Sequence, residues 1–61
     1  MTTDERASIN AVIEQERRTV EHYGELLKQP ASKAQRTRYR ALRRKHVLYI
    51  KRWREELTDD A

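Results

Sequence analysis

The sequence predicts an all-α fold: an antiparallel helical hairpin that pairs with a second copy of itself into a four-helix bundle. Three observations lead there. Two stretches carry apolar residues at alternating steps of three and four, the spacing of a coiled-coil seam. A short segment holding the only proline separates them. The chain has 61 residues and no cysteine, which is too little for an ample core and gives no disulfide to staple one. A second copy is the remaining way to bury the apolar residues.

The first helix is expected over residues 3–29. Thr2 and Glu5 have capping-box spacing: the threonine hydroxyl accepts from a first-turn amide and the glutamate reaches back. Asp4 and Glu5 also suit the positive end of a helix dipole. Gly24 is a weak point, costing about 1 kcal/mol relative to alanine in a helix interior. Pro30 ends the pattern, because it lacks an amide donor and disfavours helix at the residue before it. The turn is expected at residues 30–32. Ser32 with Gln35 forms a second capping box, opening a helix over residues 33–57. Asp59 and Asp60 oppose the negative end of that helix, so residues 58–61 are expected to fray as an acidic tail. So short a turn makes the two helices antiparallel neighbours.

At about 100° per residue, Ile9, Val12, Ile13, Val20, Tyr23 and Leu27 fall on one arc of the first helix. Tyr39, Leu42, Tyr49, Ile50, Trp53 and Leu57 do so on the second. Ile9, Ile13, Val20, Tyr23, Leu27, Leu42, Tyr49 and Trp53 are the expected dimer core. Folding the chain about residue 31 makes facing positions sum to about 62, which sets Ile9 against Trp53, Ile13 against Tyr49 and Val20 against Leu42. At the middle level it sets Glu16 against His46, the two polar residues that interrupt the stripes. One reading is a buried polar layer in which carboxylate and imidazole satisfy each other and fix register. The other is a metal site of two Glu and two His in a bundle core. Di-iron bundles use Glu-x-x-His for that purpose, and here Arg43 stands three residues before His46. The polar layer is preferred, and no metal is expected. His22 lies off the apolar arc and reads as a surface residue.

Charged residues make up 39% of the chain and apolar residues 36%, a balance close to that of disordered chains, against which the periodicity argues. No apolar run approaches the roughly 20 residues of a membrane span. The opening "MTTDERASIN" lacks the apolar stretch of a signal peptide, so a cytoplasmic location is expected. There is no nucleophile–base–orienter set, phosphate loop or glycine-rich turn. Neither an enzyme nor a small-molecule substrate or cofactor is expected.

Charge is segregated along the chain. Residues 1–25 carry a net −3, the stretch from Leu26 to Arg54 holds eleven bases and no acid, and residues 55–61 hold four acids and no base. On the helical projection Lys33, Arg36, Arg40, Arg43, Arg44, Lys51 and Arg54 form one ridge beside the apolar stripe. Arg38, Lys45 and Arg52 lie on the other flank. Like charges at helical spacing repel by a few tenths of a kcal/mol per pair, so the ridge needs a reason. Glu14, Glu21 and Glu25 of the first helix are candidates to neutralise part of it across the helix boundary. They are too few for all of it, and what remains reads as a polyanion surface. Arginine predominates among the bases and is the better bidentate phosphate ligand. Nucleic acid, DNA or RNA, is the leading candidate, gripped by its backbone because no base-reading motif is present. An acidic protein surface, met by an adaptor or inhibitor of phage or plasmid type, is the alternative. A structural element that completes a larger bundle is the third reading. An anionic membrane is disfavoured, since the bundle already accounts for the apolar stripe.

The length, the turn near residue 30 and the opening, with Met1-Thr2, Glu5 and Asn10, resemble the Rop family of small plasmid proteins. That resemblance implies a hairpin dimerising into a four-helix bundle, and RNA loop–loop complexes as the ligand. The family's RNA-binding face would fall on the first helix, where Asn10 and Arg18 match it. Glu14 stands where the family has phenylalanine, and Glu25 where it has lysine. This first helix is acidic, and the bases lie on the second.

Overall fold

The computed structural model describes residues 1–59 and contains two helices, α1 (Thr3–Lys28) and α2 (Lys33–Asp59), packed against each other as an antiparallel hairpin. Its extents are 45 × 15 × 11 Å. The Cα radius of gyration is 14.3 Å, against about 10.5 Å for a compact chain of this length. Over the described residues the molecule is a rod two helices wide.

Each helix start has a local cause. The Thr2 hydroxyl accepts from the Glu5 amide at 3.1 Å, with Thr2 in an extended conformation (φ −78°, ψ 164°). At Ser32 the box is reciprocal: the Gln35 amide donates to Ser32 Oγ and the Ser32 amide donates to Gln35 Oε1, both at 3.1 Å. α1 ends at Lys28, one residue before the expected limit. Gln29 is extended (φ −91°, ψ 156°), the conformation forced on a residue that precedes proline. Its amide still donates to Leu26 O at 3.2 Å. Its carbonyl accepts from Arg36 Nη1 at 3.3 Å, so a side chain of α2 caps the end of α1.

The far end of α2 corrects the expected fraying. The helix runs two residues past Leu57, and the Thr58 hydroxyl donates to Arg54 O at 3.0 Å. No glycine or proline follows Leu57 to break the pattern. Asp60 and Ala61, the rest of the predicted tail, lie outside the described residues.

Contacts between the helices follow the fold about residue 31. Glu16 meets His46, and Tyr23 lies 6.0 Å from Tyr39 between ring centroids. The apolar stripes line this seam, and neither is fully enclosed by it. Ile9, Ile13, Val20, Tyr23, Leu27, Leu42, Tyr49 and Trp53, the expected dimer core, are all half-buried within the single chain. Among the described residues none is fully buried. The reason is geometric: a neighbouring helix covers about one flank of an apolar arc roughly 100° wide, and the other flank stays open.

Gly24 sits within α1 beside Arg43 of α2. A Cβ placed there would lie 3.8 Å from Arg43 Nε, an ordinary contact with the end of a flexible side chain. The glycine therefore carries its propensity cost without a steric need for it. Gly24→Ala should raise stability by about 1 kcal/mol, or about 4–8 °C in melting temperature for a chain of this size. A thermal melt followed by circular dichroism checks this, and a lower midpoint would mean that Arg43 packs more tightly on α1 than the geometry indicates.

Candidate functional site

Three acids of α1, Glu14, Glu21 and Glu25, are engaged within α1. Arg17 donates to Glu14 from Nε at 3.1 Å and from Nη2 at 2.7 Å, and to Glu21 from Nη1 at 2.5 Å. Arg18 Nε lies 3.5 Å from Glu14, and Lys28 donates to Glu25 at 3.2 Å. The spacings are i,i+3 and i,i+4, where one helix face brings side chains together without long-range ordering. Hydrogen bonding from Arg17 holds the Glu14 carboxyl below its ordinary value, and the same bond raises Arg17 above its own. All these groups are exposed, so each pair adds little to stability. Their consequence is spatial. Glu14, Glu21 and Glu25, the candidate neutralisers of the second helix, are spoken for by neighbours in the first.

The ridge on α2 divides accordingly. Arg36 is half-buried with its guanidinium on the Gln29 carbonyl, and Arg43 runs across Gly24. These two lean towards α1. Lys33, Arg40, Arg44, Lys51 and Arg54 are exposed, and among the described residues none of the five forms an ion pair. On the other flank Arg38, Lys45 and Arg52 are exposed too, and Lys45 Nζ lies 5.8 Å from the centroid of the Tyr49 ring.

At mid-length, His46 Nδ1 and Glu16 Oε2 share a hydrogen bond across the hairpin. The His46 ring stacks beside Tyr23 at 6.2 Å and meets the edge of Tyr49 at 5.7 Å. The bland environment expected of a buried layer is only half present: the Glu16 and His46 side chains keep 21% and 23% of their exposure. Tyr49, whose edge meets His46, also lines a shallow groove with Arg52, Trp53 and Glu56. Among the described residues no three His, Asp or Glu side chains gather where they would share a metal ion. No described helix is long and apolar enough to cross a membrane.

Sequence reasoning passed over two residues. Val47 and Leu48 are 42% and 50% exposed, in the midst of the cations. The projection that defined the ridge would have found them. Val47 falls within its arc and Leu48 just beyond, between the two rows of bases.

No protein-family model, curated protein or solved structure matches this chain.

The polar pair yields a prediction about stability. Removing one partner leaves the other half-buried and unpaired, whereas removing both replaces a polar contact by an apolar one. Glu16→Leu and His46→Leu alone should each lower stability, and the double variant should equal or exceed the parent. Urea denaturation of the four proteins gives the coupling. A double variant weaker than either single one would show that the pair contributes more than mutual satisfaction.

Proposed function

We propose that this chain is a non-enzymatic, cytoplasmic homodimer, a four-helix bundle of two hairpins, that binds nucleic acid through the basic ridge of α2. One observation supports the binding surface above all: Glu14, Glu21 and Glu25 pair inside α1, and Lys33, Arg40, Arg44, Lys51 and Arg54 are left exposed on α2 without a carboxylate partner among the described residues. Five like charges along one helix face repel one another, and a row of phosphates reverses the sign of that interaction. Arg36 is not counted in this surface, since it caps α1, and Arg43 stands at its edge.

The dimer rests on surface area. The chain exposes 5016 Å², and a compact folded protein of 7.4 kDa exposes about 4,200 Å². The excess, about 800 Å², is close to what one partner buries in a standard interface. The uncovered flank bearing Tyr49 and Trp53 is where a second hairpin would seat, and it would close the half-open Glu16–His46 level in the same step. The resemblance to Rop-like hairpins supplies the same architecture. Its first-helix RNA surface has no counterpart here, because Glu14 and Glu25 occupy it.

Two measurements test the proposal. Fluorescence anisotropy with labelled nucleic acid should give affinity falling with salt at a log–log slope of about −4 to −5 per five phosphates neutralised. Arg40→Glu with Arg44→Glu should abolish binding at moderate salt, and binding indifferent to both salt and reversal would refute the surface. Trp53→Ala should cost about 3–5 kcal/mol if the tryptophan is sealed between hairpins. Analytical ultracentrifugation should then show a dimer for the parent and none for the variant. A parent that sediments as a monomer at micromolar concentration would remove the bundle.

A further inference from the structure

We infer that α2 offers its outer face to the major groove of duplex DNA, with the two rows of cations on opposite groove walls and Leu48 directed to the base edges. This inference rests on the nucleic-acid reading above and narrows it to one kind of ligand and one face.

The argument begins with the directions of α2 side chains. At about 100° per residue, Leu48 points nearly opposite the centre of the apolar stripe, away from α1. To one side of it lie Arg40, Arg44 and Lys51. To the other lie Arg38, Lys45 and Arg52, repeating every seven residues, about 10.5 Å along the axis. The two rows diverge by roughly 120° around the helix. All six bases are exposed, and none has an ion pair among the described residues. An exposed leucine alone would mean nothing, since surfaces carry many. This one is half exposed on the line midway between two unneutralised cation rows, where Thr37 and Ala41 are also exposed and uncharged.

A single phosphate strand or a flat acidic surface would engage one row and leave the other in water. A ligand with two anionic walls and an uncharged floor engages both. The major groove of B-form DNA is about 12 Å wide and admits an α-helix, with phosphates on each side and base edges between. The apolar feature of that floor is the C5-methyl of thymine, the group an aliphatic side chain recognises there. The major groove of A-form RNA is too deep and narrow for side chains to read, which sets duplex RNA apart. The face has a defined end: Glu55, one heptad beyond Leu48, puts a carboxylate on the same line, where phosphates repel it. The usable stretch from Arg38 to Arg54 is about 24 Å long.

The test uses the full chain and three 20-bp duplexes of one A·T-rich sequence: DNA, the same DNA with deoxyuridine for thymidine, and RNA. Replacing thymine by uracil removes only the methyl group. The parent should bind the thymine duplex about fourfold more tightly than the uracil duplex for each methyl buried, and the RNA duplex more weakly than either. Leu48→Ala, at a half-exposed position where helicity is retained, should erase the thymine–uracil difference and leave the salt slope unchanged. Equal affinity for all three duplexes with a normal salt slope would overturn this inference and leave the nucleic-acid reading standing. Failure to bind any of them at low salt would remove both. Displacement of the DNA by poly-glutamate at equal charge would assign the face to an acidic protein and would likewise overturn both.

Discussion

Two helices side by side can cover only one flank of each other's apolar arc, and that limit governs the rest of this molecule. The stripes are about 100° wide, so a single seam leaves Tyr49 and Trp53 on an open groove and the Glu16–His46 level partly wet. Local signals make the helices secure: caps at Thr2 and Ser32, and an extended residue before Pro30. Their packing is not secured in the same way. Every stripe residue is half-buried, and each such residue returns only part of the stabilisation that full enclosure gives. The chain thus specifies its secondary structure within itself and leaves part of its tertiary stabilisation to whatever covers the second flank.

The same economy of short range explains the charges. Glu14 has Arg17 and Arg18 within one turn, and Glu25 has Lys28. Pairing with these neighbours orders few torsions, while pairing with α2 would need long side chains held across the seam. Glu14, Glu21 and Glu25 therefore close on their own helix, and Lys33, Arg40, Arg44, Lys51 and Arg54 of α2 form no ion pair among the described residues. Arg36 and Arg43 are exceptions for a steric reason. They lie on the edge of the ridge nearest α1, where the Gln29 carbonyl and the gap at Gly24 receive them.

Much of the fold was legible because its determinants are local or periodic. Ser32 and Gln35 mark a helix start by spacing alone, Pro30 dictates the conformation of Gln29, and the single turn makes facing residues add to a fixed sum. That sum puts Tyr23 beside Tyr39 as well as Glu16 beside His46. What was not legible depends on choices between comparable partners. The sequence offers Glu14 to either helix, and only the geometry shows it taken by Arg17. Asp59 argues for fraying on dipole grounds, yet helix persists there, because an unfavourable end charge is worth less than about 1 kcal/mol and no breaker follows. The ridge was legible as a row of bases on one helix face, and the contacts that set Arg36 and Arg43 apart from the others were not. The projection treats all seven bases alike, while the position of α1 removes Arg36 from the set and brings the gap around Leu48 into view.

These constraints give α2 two faces of different chemistry. Its apolar side is half satisfied by α1 and directs Tyr49 and Trp53 to the open flank. Its outer side holds cations that nothing among the described residues neutralises. A partner seated on the first face leaves the row of Arg40, Arg44 and Lys51 clear, since that row lies nearly opposite Tyr49 and Trp53, while Arg52, which lines the same groove as those two, stands at the border between the faces. The faces are nonetheless coupled through charge. Pairing two hairpins brings two basic ridges into one particle, and the repulsion between them opposes assembly. A polyanion spanning both ridges would relieve that repulsion, so ligand and dimer should favour each other by linkage. The arrangement of charge on α2, costly for an isolated hairpin, would become an advantage under the proposed dimer and ligand.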